Sequence, residues 1–260
     1  TAVNLQFAVD LVYDHALNEN SDDPVEDALH KANEIRHSEI SASKKIGEYG
    51  YLILQKVSKA NSVNILTHCN AGWLATIDYG TASAPVFNAV SKGMEIHVWV
   101  DETRPRNQGG KLTAWEYFHE NILHTIITDN AGGHLMQNGE VDIVITGADR
   151  IALNGDTANK IGTYLKALAA YDNNIPFYIA APISTIDFNI NSGKDIPIEI
   201  RSENEIKFYN EDSNLPVNHS RSPAINHGFD VTPARLITGF ITEEGIFTAE
   251  QLKELKNGKK

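Results

Sequence analysis

The sequence has one cysteine, Cys69, among its 260 residues, so no disulfide bond can form within the chain. No apolar run approaches the roughly 18 residues that suggest a membrane-spanning helix. The chain also lacks a secretory signal pattern. These absences lead us to expect a cytoplasmic protein that works in a reducing compartment and crosses no membrane.

Positive charge is scarce in the chain. Lys and Arg number 22 against 34 Asp and Glu, which gives a net charge of −12 with neutral histidines. Nonspecific nucleic-acid binding needs a basic surface, so we expect no nucleic-acid partner. A small anionic ligand remains compatible with this charge, because a few local cations and backbone N–H groups are enough to hold a phosphate.

Common catalytic and ligand-binding motifs are also missing. The chain has no GxGxxG after a strand, no GxxxxGK[ST], no HExxH, no paired CxxC and no GxSxG. Its 10 histidines are scattered rather than clustered. We therefore predict no metal site.

The composition that is present is that of an ordinary globular protein, with 42% hydrophobic and 22% charged residues. The first part of the chain is patterned for helices. Asp23 is a candidate N-cap, Pro24 suits the first helical position and Glu26 completes a capping box. The helix that they begin is predicted to run to about residue 53. An earlier helix is predicted in the same helical segment, residues 1–60, from the spacing of Leu5, Val9, Val12 and Ala16.

From residue 61 onward the pattern changes to short runs rich in Val and Ile. Such runs are typical of strands buried on both faces of a parallel sheet. Helical patterns at 81–92, 112–121 and 157–172 alternate with them, which predicts a doubly wound α/β domain over residues 61–260. Residues 188–227 are polar and are predicted to cross the surface. The strand-like runs are 63–69, 95–101, 124–129, 141–149, 176–182 and 235–242.

Ligands of such sheets bind outside the carboxyl ends of the strands, where Cys69 ends the first run. Small residues follow it and would let a helix begin close by, which would lower the pKa of the thiol and make it reactive. The opposing interpretation is a small apolar side chain in the core, because free cysteine is among the most buried residue types. The residues alone leave both interpretations open.

Two further strand ends carry polar candidates. Gln108, beside a glycine pair, lies in an arginine-containing loop that is either a pocket wall or a solvated surface loop. Asp149 ends a later run, and the helix predicted from residue 157 would place Asn159 and Lys160 in its first turn. A carboxylate and a lysine that converge would form an acid–base and anion-holding pair. The alternative is a surface ion pair of Asp149 and Arg150 with a solvated lysine.

A resemblance to a known family is carried, in order, by the stretches ILTHCNAG, YGTA, VDETRPRNQG, LTAWE, GADRIALNGDTANKIGTY, PFYIAAPISTID, IPIEIR and FDVTPARLITGFITEEGIF. They resemble the methylthioribose-1-phosphate isomerase family of methionine salvage. The resemblance implies a Rossmann-like catalytic domain, a homodimer, a sugar-phosphate substrate and no cofactor. It also implies that Cys69 and Asp149 are catalytic and that Gln108, Asn159 and Lys160 bind substrate.

The resemblance leaves the substrate open. Related isomerases act on ribose 1,5-bisphosphate or 5-deoxyribose 1-phosphate, and other relatives are noncatalytic regulatory subunits of a translation-initiation exchange factor. In the isomerase family an Arg-Pro pair and an Arg-Gly-Ala phosphate loop precede the TAVNL stretch. Because this chain begins at Thr1, within a helical pattern, we expect a longer protein whose start is missing here.

For the reaction we expect an aldose-to-ketose isomerisation in which a phosphate on O1 keeps the sugar ring closed. Asp149, protonated in a pocket of low dielectric, would donate a proton to the ring oxygen. Cys69, as a thiolate, would then remove the proton from C2. A hydride shift from C2 to C1 is the alternative route, in which Cys69 only adjusts the electrostatics.

Overall fold

The structure is a computed structural model that describes residues 2–17, 23–209, 215–219 and 221–258. Its α-helices are α1 (Asn4–Ala16), α2 (Pro24–Val57), α3 (Ala84–Ser91), α4 (Ala114–His119), α5 (Ala131–Gln137), α6 (Thr163–Asp172), α7 (Asn204–Lys207) and α8 (Ala249–Gly258). Its first strands are β1 (Ser62–Thr67), β2 (Glu95–Asp101), β3 (Leu123–Ile127), β4 (Ile143–Thr146), β5 (Arg150–Ala152), β6 (Thr157–Lys160) and β7 (Phe177–Ala180). The remaining strands are β8 (Ile186–Asp187), β9 (Ile200–Arg201), β10 (Asn226–His227), β11 (Phe229–Thr232), β12 (Gly239–Thr242) and β13 (Gly245–Phe247).

A central sheet of mostly parallel strands organises the molecule, in the order β13-β12-β7-β4-β1-β2-β3. Only β13 runs antiparallel to its neighbour among these strands. Residue Ile65 of β1 is paired with Val98 of β2 on one side and with Ile143 of β4 on the other. After β1, the chain adds β2 and β3 on one side of this strand. It then adds β4, β7 and β12 on the other side, so that the strand order reverses between β1 and β4.

Both faces of this sheet are buried. Successive strand residues point to opposite faces, so Ile65 and Leu66 enter different hydrophobic clusters, as do Ile143 and Val144. Helices α2 and α3 cover the first face, and α5, α6 and α8 cover the second. This arrangement confirms the predicted doubly wound α/β sheet preceded by helices.

Helix α2 begins at the predicted cap. The Asp23 carboxylate accepts hydrogen bonds from the backbone N–H groups of Val25 at 3.0 Å and Glu26 at 3.1 Å, and Pro24 occupies the first helical position. Its buried residues all lie between Ala42 and Leu54, where the helix packs on the sheet. Its first half therefore extends beyond the core.

Helix α1 packs against α2 but buries none of its own residues. Large apolar side chains on it are exposed, among them Leu5 at 76% and Val9 at 53%. The Asn4 amide donates to the hydroxyl of Ser184 at 2.9 Å and ties the start of the helix to the loop after β7. The division into a helical segment, 1–60, and a catalytic domain, 61–260, stays a prediction. Among the described helices, none combines the length and the apolar character that crossing a membrane requires.

The helix predicted over 157–172 is wrong in its first part. Residues Thr157–Lys160 form β6, which pairs antiparallel with β11 and β5, and α6 starts only at Thr163. The partner strand β11 lies about 70 residues further along the chain. Because strand pairing over that distance leaves no local signal, helical periodicity alone extends the helix too far.

The structure differs from the sequence patterns at three further elements. Strand β3 is not buried on both faces, because it is the edge of the sheet and leaves Leu123 72% and Ile126 51% exposed. The sequence patterns do not predict helix α5, because its sequence contains a glycine pair and only a short apolar stripe. The helix predicted over 112–121 begins earlier, with a π-helical turn at Gly109–Thr113 that continues into α4.

Candidate active site

A cavity of about 740 Å³ opens at the carboxyl ends of β1 and β4. Its wall is formed in part by the residues that follow these two strands, where the strand order reverses. Open α/β sheets bind their ligands at this position, and pockets of roughly 300–1,000 Å³ suit small molecules. The cavity brings together every residue predicted for the site: Cys69, Gln108, Asp149, Asn159 and Lys160.

The backbone around Cys69 is held by two threonine hydroxyls. The N–H of Cys69 donates to Thr103 Oγ1 at 2.8 Å, and its carbonyl accepts from Thr113 Oγ1 at 2.7 Å. The residue has a φ of +68°, in the left-handed region. The helix start predicted after Cys69 is wrong, since residues 70–83 are irregular and α3 begins only at Ala84.

The ionisation of Cys69 also differs from the prediction. Burial raises the pKa of the thiol to about 11, the positive charge of Lys160 opposes this rise, and the charge of Asp149 adds to it. Without a helix N-terminus beside it, the thiol lacks the feature that was expected to lower its pKa. The thiol is therefore protonated at neutral pH in the free protein.

Asp149 has the environment of a proton donor. Its backbone N–H donates to the carbonyl of Ala158 at 2.9 Å, which fixes the turn after β4 against β6. Burial raises the pKa of its carboxyl group above the usual value, and the charge of Lys160 opposes the shift. A carboxyl group that holds its proton to higher pH is suited to general acid catalysis.

Lys160 and Asn159 reach the cavity from β6, not from a helix as predicted. Pairing with β11 places Lys160 opposite Phe229. The Lys160 ammonium lies 4.5 Å from the centre of the Phe229 ring and donates to the carbonyl of Gly228 at 3.3 Å. Burial lowers the pKa of Lys160, and a negative charge on Cys69, when the thiol ionises, opposes that shift. The Asn159 amide donates to Thr163 Oγ1 at 3.0 Å, which orients it at the start of α6.

Gln108 stands immediately before the π-helical turn at Gly109–Thr113. It lines the cavity, and its Oε1 atom is buried without a hydrogen-bond partner among the described residues. A buried acceptor without a partner costs free energy, on the order of 1–3 kcal/mol. A ligand that donates to this oxygen would remove that cost, which supports the pocket-wall interpretation of the loop.

Arg201 is a cavity residue that the sequence patterns miss. It lies in β9, within the polar stretch predicted to cross the surface, and it lines the cavity. Its guanidinium carbon lies 5.0 Å from the centre of the Phe229 ring, and its Nε contacts Glu199 at 3.0 Å. Arg106 lines the same cavity and donates from Nε to Glu205 at 2.8 Å. The only signal for Arg201 in the sequence is a lone arginine directly after Ile200.

A buried polar network connects the strand ends behind the cavity. His68 Nδ1 lies 2.7 Å from Asp101 Oδ2, and His68 Nε2 lies 2.8 Å from the carbonyl of Ile161. The ammonium of Lys166 lies 3.0 Å from the same Asp101 oxygen and also donates to the carbonyl of Asp129. His68, Asp101 and Asp129 bring potential metal-ligand atoms within 4.8 Å of one another. Lys166 supplies the positive charge at this cluster.

The fold and the cavity together define a doubly wound α/β protein with a small-molecule site at its topological switch point, where a carboxyl group, a thiol and several cations converge. The family model described as the Initiation factor 2 subunit family matches residues 1–249. The chain belongs to this family.

Individual relatives within the family are more specific. The methylthioribose-1-phosphate isomerase of Sulfurimonas denitrificans is 54% identical over 99% of this chain and 75% of its own length. The crystal structure of 5-methylthioribose 1-phosphate isomerase from Pyrococcus horikoshii OT3 superposes with a TM-score of 0.87 at 39% identity, over 98% of this chain and 71% of that one. The translation initiation factor eIF-2B subunit delta from A. fulgidus has a TM-score of 0.82 at 39% identity, over 95% and 71% of the two chains.

Proposed function

We propose that the protein is an isomerase that converts 5-methylthioribose 1-phosphate to 5-methylthioribulose 1-phosphate. One observation carries the proposal: the thiol of Cys69 and the carboxyl group of Asp149 line the same cavity, and each pKa is affected by the charge of Lys160. The relatives named as this isomerase support the choice of substrate. The relative named as an initiation factor shares the fold, so fold alone does not distinguish the two functions.

The cations of the cavity would attract the phosphate group of the substrate. Lys160, Arg106 and Arg201 all line the cavity, and the charges of both arginines lower the pKa of Lys160, which places them within electrostatic reach of one another. A phosphate would relieve their mutual repulsion. We assign Lys160 and Asn159 to binding the phosphorylated end, and Gln108 to accepting a hydrogen bond from the sugar.

The first chemical step is ring opening. The protonated carboxyl group of Asp149 donates its proton to the ring oxygen, the bond between C1 and that oxygen breaks, and the oxygen keeps the electron pair. The raised pKa of Asp149 supports this role because it increases the fraction of the acid form near neutral pH.

The second step moves a hydrogen from C2 to C1. In our proposal the Cys69 thiolate removes the C2 proton, a double bond forms between C1 and C2, and the same thiol returns a proton to C1. The Asp149 carboxylate recovers the proton from the hydroxyl on C2, which leaves the ketone. Lys160 assists because its positive charge favours the thiolate.

An assay of the purified protein with 5-methylthioribose 1-phosphate tests the function. We expect formation of the ketose without added cofactor, with smaller kcat/KM for ribose 1,5-bisphosphate and 5-deoxyribose 1-phosphate. A preference for one of those two sugars would assign a different 1-phospho-pentose. Turnover of none of the three would favour a noncatalytic regulatory role.

The same reaction run in D₂O tests the route. Deuterium at C1 of the product is expected, because a proton held by Cys69 exchanges with solvent. A product free of deuterium would favour the hydride shift, a route that the high thiol pKa also permits because it needs no thiolate.

The setting of the reaction is also a proposal. We place the enzyme in methionine salvage, in the cytoplasm, as a homodimer with a small sugar phosphate as its substrate. The single cysteine and the exposed apolar residues of α1 support the compartment and the dimer, respectively.

A further inference from the structure

Asn70, next to the thiol, has an amide whose orientation the structure determines. Its Nδ2 lies 3.1 Å from Thr113 Oγ1 and 3.0 Å from Glu116 Oε1. The single hydroxyl proton of Thr113 is directed at the carbonyl of Cys69, which can only accept. Thr113 must therefore accept from Asn70, so the group that faces it is the NH₂ and not the oxygen.

Glu116 fixes the same orientation from a fully buried position. Its Oε1 also accepts from the N–H of Leu74 at 3.0 Å, and its Oε2 accepts from the N–H of Trp73 at 3.1 Å. With both oxygens accepting from backbone donors, the carboxylate presents an acceptor to the Asn70 side chain. The contacts with Thr113 and Glu116 therefore require the same orientation of the Asn70 amide.

The oxygen of Asn70 is left without a partner. Its Oδ1 is buried and has no hydrogen-bond partner among the described residues, and Asn70 is one of the residues that line the cavity. The backbone N–H of the same residue faces the thiol of Cys69, where it lowers the thiol pKa. Asn70 therefore presents a fixed acceptor beside the group that would act at C2.

We propose that Asn70 Oδ1 accepts a hydrogen bond from the hydroxyl on C2 of the bound sugar before the ring opens, and that Glu116 positions Asn70 for this contact. Once Asp149 has given its proton to the ring oxygen, the hydroxyl turns its own proton to the Asp149 carboxylate. The inference rests on the proposed isomerase function and extends it to a residue that recognises the hydroxyl converted during the reaction. A buried acceptor with no alternative partner makes this recognition selective, since a sugar without the hydroxyl leaves the oxygen unpaired.

Binding measured by calorimetry tests the contact without turnover. In a Cys69→Ala background, the affinities for 5-methylthioribose 1-phosphate and for its 2-deoxy analogue give the discrimination due to this hydroxyl. We expect Asn70→Ala to lower that discrimination about tenfold, the effect of one buried hydrogen bond. Asn88→Ala is the matched control, because Asn88 Oδ1 is also buried and unpaired among the described residues but does not line the cavity.

A second variant keeps the Asn70 side chain in place. In Glu116→Gln the amide oxygen takes the place of Oε1, where it accepts from both the Leu74 N–H and Asn70 Nδ2, and the new NH₂ group lies at the Trp73 N–H. Because Asn70 keeps its orientation and its bond to Thr113, we expect the discrimination between the two sugars to stay near that of the Cys69→Ala parent. Equal weakening of both sugars in Asn70→Ala would overturn the inference and leave Asn70 a structural residue. Failure of the Cys69→Ala protein to bind either sugar, with no wild-type turnover, would instead contradict the proposed function.

Discussion

At the scale of single residues, the ionisation of Cys69 depends on what surrounds the thiol in the cavity. Burial raises its pKa, the positive charge of Lys160 opposes that rise, and the charge of Asp149 adds to it. These two charges act through space, from residues about 90 and 80 positions further along the chain. The cavity, and not the strand end alone, therefore determines how readily the thiol loses its proton.

Replacement of Cys69 by serine tests its role as the base. We expect the fold to be retained, because the hydroxyl is slightly smaller than the thiol and the two backbone hydrogen bonds remain. The turnover number should fall at least about 100-fold, the low end for a positioned acid–base group. Steady-state kinetics and urea unfolding of both proteins provide the comparison. Retained turnover with reduced stability would identify a cysteine that only packs.

The pH dependence of kcat/KM follows from the two raised pKa values. The reactive form needs Asp149 protonated and Cys69 ionised, although the thiol pKa of about 11 makes that combination a minority. As pH rises above the pKa of Asp149, the fraction of protonated Asp149 falls by the same factor by which the fraction of ionised Cys69 grows. The fraction of enzyme in the reactive form therefore stays constant. The two pKa values belong to the coupled pair of groups. We expect kcat/KM to be flat above that pKa until Lys160, whose pKa burial lowers, begins to lose its charge.

Measurements between about pH 7.5 and 10 are the informative ones, because the substrate phosphate, with a second pKa of about 6, is fully ionised there. A decline of about tenfold per pH unit across the whole of this range would indicate that only protonated Asp149 is required, whereas a decline confined to its upper end would report loss of the Lys160 charge. The first result would support the hydride shift and remove Cys69 from proton transfer.

At the scale of elements, the sequence predicts the central strands and the two N-terminal helices. Short Val/Ile runs and the Asp23–Pro24 cap are local signals, and the structure confirms both. Prediction from the sequence fails where strands pair over a long distance along the chain or where the composition of a stretch is ambiguous. Strand β6 pairs with β11, and Arg201 enters the cavity from a stretch without periodicity.

The buried polar network of His68, Asp101 and Lys166, which joins β1, β2 and α6, is expected to stabilise the fold. Asp101→Asn removes the carboxylate that pairs with Lys166 and His68, and leaves the lysine charge buried with less compensation. Loss of one partner of a buried ion pair typically costs about 3 kcal/mol or more. Urea unfolding measures the change in the free energy of unfolding.

Glu34→Gln is the control for that measurement, because its ion pair with Lys31 lies on the surface of α2. Surface pairs contribute about 0–1 kcal/mol, so the control should remain near the wild type. Similar stability of Asp101→Asn and the control would show that the buried network contributes little.

At the scale of the whole molecule, an acidic protein holds a cationic cavity. The net charge of −12 keeps nonspecific polyanions away, while Lys160, Arg106 and Arg201 gather positive charge at one opening. This local arrangement, not the overall charge, determines which ligand enters. Overall composition therefore predicts the excluded partners better than the ligand that binds.

The oligomeric state is the prediction that belongs to the whole molecule. We expect a homodimer, because the exposed apolar residues of α1, Leu5 and Val9 among them, would be covered by a second copy. Sedimentation equilibrium at micromolar concentration measures the mass directly. A single species with the mass of one chain would contradict the prediction.

The left-handed backbone at Cys69 has a consequence for stability. A side chain with a β-carbon in this region costs about 1 kcal/mol relative to an ordinary conformation, and glycine does not bear this cost. At most positions alanine is more stable than glycine, but at Cys69 the order should reverse. Urea unfolding should show Cys69→Gly at least as stable as Cys69→Ala, whereas Ala167→Gly, in the buried face of α6, should destabilise. Selection for folding alone would then favour glycine at position 69, and the retention of a thiol there would reflect a compromise between stability and activity.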